Sequence, residues 1–159
     1  MLVGRRPKFP ARGFTLIELV TTITVMAILA GIALPSFSAF IATQRVRNVS
    51  FDLMAAITLA RSQAVSRNAN VSLQKIGTAW DGGWTVSDGT LTFHNQEAYK
   101  NLSITDSAGL GAVTYGKDGR TVTTSTKFTI APSPALNGVS SRCVSIGLSG
   151  VPSSSTGAC

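Results

Sequence analysis

The stretch from Phe14 to Leu34, a predominantly apolar run of 21 residues, constrains this chain more than any other feature. It supplies enough helix to cross the hydrocarbon core of a bilayer, which needs about 20 residues. Yet Glu18 lies near its start, and a lone carboxylate within a membrane helix costs about 2.5–3.5 kcal/mol on insertion scales. Either the residue rests at the interface, where the cost falls, or it serves a purpose that outweighs the cost.

The charge distribution bears on which. The chain carries 14 Lys and Arg against 7 Asp and Glu, a net +7. Arg5, Arg6, Lys8 and Arg12 all precede the run, with no acid among them, and without them the net charge is +3. The basic excess is therefore mostly a property of a leader, not of a nucleic-acid-binding surface spread over the fold. A positive cluster ahead of an apolar run predicts a cytoplasmic N-terminus with the rest of the chain translocated. A secretory signal would end in a small-residue A-x-A site. None ends this run, which continues through Pro35, Phe37, Phe40 and Ile41 to the next charge at Arg45.

The segment from Arg12 to Val20, "RGFTLIELV", resembles the class III signal of type IV pilins and pseudopilins. The resemblance implies a prepilin peptidase that cuts between Gly13 and Phe14 on the cytoplasmic side and methylates the new amine of Phe14. It places Glu18 at the family's fifth mature position, as the assembly contact, and Pro35 at the proline that bends the helix. The chemistry is coherent. An amine at Phe14 and a carboxylate at Glu18 would attract strongly in low dielectric, where either alone is costly. Glu18 of one subunit could thus neutralise Phe14 of its neighbour and fix their axial register.

Beyond Pro35 the sequence stays compatible with helix. Val46, Val49, Leu53, Ile57, Ala60 and Ala64 recur at intervals of three and four, an apolar stripe at helical period, while Arg45, Arg47, Asn48, Asp52, Arg61 and Gln63 fall largely off it. Asn68-Ala69-Asn70 offers an end. A helix from Phe14 to about Arg67 would be roughly 80 Å long, kinked or locally melted at Pro35 because proline removes a backbone donor and crowds the preceding turn.

From Val71 the chemistry turns to short β-prone segments. Trp84-Thr85-Val86 and Leu91-Thr92-Phe93 flank Asp88-Gly89, and Ala112 to Tyr115 and Thr121 to Thr123 flank Asp118-Gly119, two hairpin signals. Lys127 to Ile130 and Cys143 to Ile146 alternate as strands do. The segment Gly150 to Gly157 reads as loose coil unless Cys159 tethers it. Cys143 and Cys159 are the only cysteines. An even count beside a membrane-targeting segment favours a disulfide, worth about 3 kcal/mol for a loop of about 15 residues. Two independent thiols are the alternative.

The expected fold class is α+β, the pilin fold: a long N-terminal transmembrane and amphipathic helix packed on an antiparallel β-sheet domain. Its divisions are a cleaved leader (1–13), a transmembrane half-helix (14–41), a periplasmic amphipathic half (42–70) and a β-domain with a C-terminal disulfide loop (71–159). The segment Leu59 to Leu73, "LARSQAVSRNANVSL", with Trp80, Gly83-Trp84 and Arg142-Cys143-Val144, is similar to the GspH/FimT branch of minor pilins and pseudopilins. Members proposed to bind DNA often carry a Gly-Arg-x-Arg element after the first cysteine. The matching stretch here, Ser149-Gly150-Val151-Pro152, has neither arginine.

Little in the sequence suggests catalysis. His94 is the only histidine, Gly147-Leu148-Ser149-Gly150 falls one residue short of a nucleophile elbow, and no phosphate-binding loop is present. The aspartates beside or near glycine read as turn residues. Trp80 and Trp84 suggest sugar stacking, but large aromatics more often fill a core. Lys117, Arg120 and Lys127, with Arg142, form a candidate weak basic patch for DNA, interrupted by Asp118 and Asp106; a solvated basic face is the competing reading. The expected protein is a non-enzymatic subunit without cofactor or metal. It waits in the inner membrane with its globular part in the periplasm and then enters a fibre. The implied partners are the prepilin peptidase, other major and minor pilins or pseudopilins, and the inner-membrane assembly platform. The expected role is initiation or capping of a type IV pilus, with a type II secretion pseudopilus or a DNA-uptake competence pilus as alternatives.

Overall fold

The computed structural model describes residues 13–159, apart from the side chains of residues 33–35. The basic leader through Arg12, and with it most of the segment expected to be removed, lies outside the described residues. The chain forms two compact units that divide between Phe37 and Ser38.

One helix, α1 (Leu16–Arg67), runs through both units. It is unbroken at residue 35, so the local melting expected of proline does not occur in its backbone. In the first unit every described side chain from Gly13 to Ile32 is exposed, Leu16, Met26 and Ile32 among them. By length and composition this stretch suffices to cross a membrane.

In the second unit the helix acquires a buried face. Val46, Val49, Leu53, Ala56, Ile57, Ala60 and Ala64 are all buried, the expected stripe plus Ala56. The helix ends as the Asn68 signal suggests. Asn68 adopts a left-handed φ of 51°, the Ala69 amide donates to the Ala64 carbonyl at 3.2 Å, and the Asn68 amide donates to that of Val65 at 3.3 Å. This is a Schellman closure with asparagine in the usual glycine place.

Two four-stranded antiparallel sheets follow. The first has the order β3-β2-β1-β5, from β1 (Val71–Lys75), β2 (Trp84–Ser87), β3 (Thr92–Gln96) and β5 (Ala112–Tyr115). The second has the order β4-β6-β7-β8, from β4 (Leu102–Asp106), β6 (Thr126–Pro132), β7 (Arg142–Ile146) and β8 (Pro152–Thr156). Alternate residues point inward: Val71, Leu73, Trp84, Val86, Val113 and Tyr115 from one sheet, and Leu102, Ile104, Phe128, Ile130, Val144 and Ile146 from the other. Together with the helix stripe they form a single core.

The first hairpin signal lies at a hairpin. β2 and β3 pair across Asp88-Gly89, where Asp88 Oδ1 accepts from the Thr90 amide at 2.9 Å and the Leu91 amide at 2.7 Å. The second gives a tight turn but no second strand. Beyond the Gly116–Arg120 bond the return segment makes one bridge, Tyr115 to Thr121, and β5 pairs chiefly with β1. The tail, read as loose coil unless Cys159 tethers it, is tethered and ordered. Pro152 to Thr156 is strand β8, in register with β7 from Ile146↔Pro152 to Arg142↔Thr156. Serine has low strand propensity, but a partnered edge and a terminal cross-link override it.

Candidate assembly site

The functional residues expected at the N-terminus lie at the head of α1. Thr15 immediately precedes the helix, and its hydroxyl accepts from the Glu18 amide at 3.2 Å. The Glu18 carboxylate reaches back: its Oε2 accepts from the Thr15 amide at 3.0 Å and the Thr15 hydroxyl at 2.9 Å. This reciprocal pair is a capping box, which satisfies donors that a helix start leaves open. The sequence reading assigned Thr15 no role, although Thr-x-x-Glu ahead of an apolar run is its signature. Both bonds to the carboxylate use Oε2; among the described residues Oε1 accepts none. Glu18 is exposed, so a charge held in fixed orientation by its own helix faces outward one turn from Phe14, itself 84% exposed.

Further along, the polar groups of the apolar stretch are internally satisfied. The hydroxyls of Thr21, Thr22 and Thr24 donate to the carbonyls of Ile17, Leu19 and Val20 at 2.8–2.9 Å. Such back-bonding lets threonine sit in an apolar medium without an orphan donor.

At the other end of the chain, Cys143 and Cys159 are joined by a disulfide with Cα atoms 5.1 Å apart. The Cys159 amide also donates to Thr129 Oγ1 on β6 at 3.2 Å, and Gly157 to the Ser141 carbonyl at 2.8 Å. The terminus is thereby bound to the second sheet by covalent and polar contacts together.

The remaining candidates take structural places. Trp80 is buried edge-on to Phe128, its centroid 4.9 Å away, and donates to the Leu110 carbonyl. Trp84 is fully buried and packs against Tyr99 at 5.5 Å. Neither offers a face to a sugar. His94 stands on β3 opposite Val86, while Ser149 is exposed in the turn closed by the Gly150–Gly147 bond. Among the described residues, no group of three or more His, Cys, Asp or Glu is placed to hold a metal ion.

The four basic candidates stand on separate elements, one turn and two strands. Lys117 and Arg120 are exposed in a single turn, and Lys127 projects from the outer face of β6. Arg142 lies at the opposite end of β7 from Ile146, opposite Thr156, and donates to Ser154 Oγ at 3.0 Å. That bond holds one end of its guanidinium to β8, while its Nε is buried without a hydrogen-bond partner.

Comparison with known proteins agrees with this geometry. Two crystal structures of the type IV minor pilin FimU from Pseudomonas aeruginosa share the fold. Their TM-scores are 0.61 and 0.60 at 21% and 22% identity, and the matches cover 69% of this chain and 87% and 91% of theirs. The architecture is thus that of a type IV minor pilin. The profile described as "Type II transport protein GspH" matches residues 51–150, and the prokaryotic N-terminal methylation motif matches residues 8–34; the chain belongs to the GspH family of pilin-like proteins. It is also 30% identical over 103 residues to the type IV major alpha-pilin of Moraxella bovis, an alignment spanning 65% of this chain and 65% of that relative. The family and fold are those of pilin structural subunits.

Proposed function

We propose that this chain is a minor pilin that a prepilin peptidase cuts between Gly13 and Phe14 and methylates at Phe14, after which it helps to initiate or cap a type IV pilus. The carrying observation is the exposed Glu18 carboxylate, oriented by its capping box one turn from residue 14 at the head of an uncovered apolar helix. Before fibre entry the subunit sits in the inner membrane with its N-terminus cytoplasmic and its two-sheet unit periplasmic. During entry Glu18 takes the Phe14 amine of a neighbour, and Pro35 is the point at which α1 bends to pack.

The Moraxella relative favours a pilus, whereas the family's description favours an H-type pseudopilin of type II secretion as the second reading. Intact-mass analysis of the membrane-extracted protein tests the shared part: the chain is expected to begin at Phe14 with one added methyl group. A start elsewhere leaves Glu18 without its partner and removes the proposal. A deletion strain scored for piliation, secretion and transformation separates the pilus from the pseudopilus and the competence pilus.

A further inference from the structure

In the second unit, just past the apolar run, lies a groove that fibre assembly does not explain. Its apolar end is a cavity of about 390 Å³ lined by Ile41, Ala42, Leu102, Pro134 and Leu136. Ile41 and Leu136 remain 37% and 41% exposed at its mouth. Arg45, Asn101 and Leu102 also line an adjoining cavity of about 440 Å³, whose polar side carries Asn48 and Lys100. The two form one amphipathic groove with a cationic end. Asp52 is the carboxylate among its lining residues, and Tyr99 Oη donates to it at 3.0 Å. Between the two ends Asn101 holds a left-handed φ of 61°, and its carbonyl accepts from the Ser133 amide at 3.1 Å. Asparagine takes this conformation more readily than other side chains do.

We propose that this groove seats one anionic phospholipid while the subunit waits in the membrane, with an acyl chain along Ile41, Leu102 and Leu136 and the phosphate at Arg45 and Lys100. The inference rests on the membrane-anchored reading above. Two observations select the occupant. First, residues 19–44 carry no charge and make about 39 Å of helix at 1.5 Å per residue. That length spans a hydrocarbon core of about 30 Å with a few ångströms over at each end, which puts Arg45 at headgroup depth. Second, the lining is cationic on balance, with Arg45 and Lys100 against the one carboxylate Asp52. A second copy would bring the same charges to the same level and meet repulsion, whereas a phosphate diester meets complementary donors.

The test uses the full processed chain in nanodiscs of equimolar phosphatidylcholine and phosphatidylglycerol, with retained lipid counted by native mass spectrometry after gentle extraction. One phosphatidylglycerol per chain is expected, enriched roughly thirtyfold over phosphatidylcholine, the order that two cations give at an anionic surface. The double substitution Arg45→Gln/Lys100→Gln is expected to abolish that preference, with helix content and the Cys143–Cys159 disulfide unchanged. Equal retention of both lipids, an undiminished preference in the double variant, or concentration-dependent dimers without headgroup preference would each overturn the proposal. Incorporation into discs of phosphatidylcholine alone reads the anchor separately. A chain that fails there refutes the membrane reading, and one that enters but shows no preference refutes only the groove.

Discussion

Glu18 has one observed job and one proposed job, and a single substitution separates them. As the third helical residue of a capping box it accepts from Thr15, a task glutamine performs nearly as well. As a charge for a neighbour's amine it has no neutral substitute. Glu18→Gln is therefore expected to leave membrane insertion and helix content intact yet lower incorporation into fibres at least tenfold, about 1.4 kcal/mol of lost attraction. Thr15→Ala removes the cap and keeps the charge, so its effect on incorporation should be smaller. Equal effects in the two variants, read by immunoblot of sheared fibres, would show that capping and not charge is what matters.

Tyr115 gives a second residue-level prediction. It is fully buried and donates to the Gly150 carbonyl at 3.0 Å; a Cβ at Gly150 would fall 2.8 Å from its ring, and Gly150 has φ +76°, so only glycine admits the contact. Burial pushes the phenol up to about 12, with Arg61 offsetting part of the rise. The folded state holds this proton more tightly than the unfolded chain, whose pKa is about 10. The contribution is thus fully present below pH 10 and is lost as pH climbs toward 12. Tyr99 is shifted the same way, by burial and then by its bond to Asp52. Tyr115→Phe should cost about 1 kcal/mol at neutral pH, by leaving a buried acceptor unpaired, and should flatten the loss of stability above pH 10. Urea midpoints measured across that range check both.

At the scale of elements, strand β8 depends on the disulfide. Its side chains are small, polar and largely exposed, with the burial of no large apolar group to hold it. It keeps its place through the β7 ladder, the Ser145–Ser153 hydroxyl contact at 2.8 Å and the Cys143–Cys159 bond. Cys159→Ser is expected to lower stability by about 3 kcal/mol, the entropy that closing a loop of this size removes from the unfolded chain. Hydrogen exchange should show Pro152–Thr156 losing protection while β6 retains it. These elements also show what the sequence can and cannot disclose. The helix stripe was legible because 3.6-residue periodicity follows directly from a single buried face. The Asp88-Gly89 hairpin was legible because its turn chemistry is local. β8 was not, since a serine run becomes a strand only when a partner ladder is supplied from elsewhere. β4 was missed despite the alternation of Leu102 and Ile104, because a five-residue strand offers too short a pattern to weigh. The groove at Arg45 was out of reach, as it joins residues more than fifty positions apart in the chain.

For the molecule as a whole, charge is the property most easily misread. A net of +7 invites a nucleic-acid role, but the leader supplies four of the cations, and the other ten are spread along the chain from Arg45 to Arg142. Arg142 is bound to Ser154, while Arg61 donates through Nε to the Gly119 carbonyl at 2.9 Å and so is partly spent on holding a turn. What remains exposed at one end is Lys117 and Arg120, with Lys127 on the adjoining sheet, and Asp118 between the first two. Three phosphate contacts would give a logarithmic salt slope of roughly −2.7, hence about a 40-fold loss of affinity between 50 and 200 mM salt. Binding of that kind is non-specific and feeble at physiological ionic strength. A fragment of residues 42–159 is therefore expected to leave duplex DNA unshifted in a gel at physiological salt, and Lys117→Gln/Arg120→Gln to abolish whatever retardation low salt reveals. A sharp shift that survives physiological salt would mean that the surviving cations form a true nucleic-acid surface, and would move the competence pilus ahead of the other two machines.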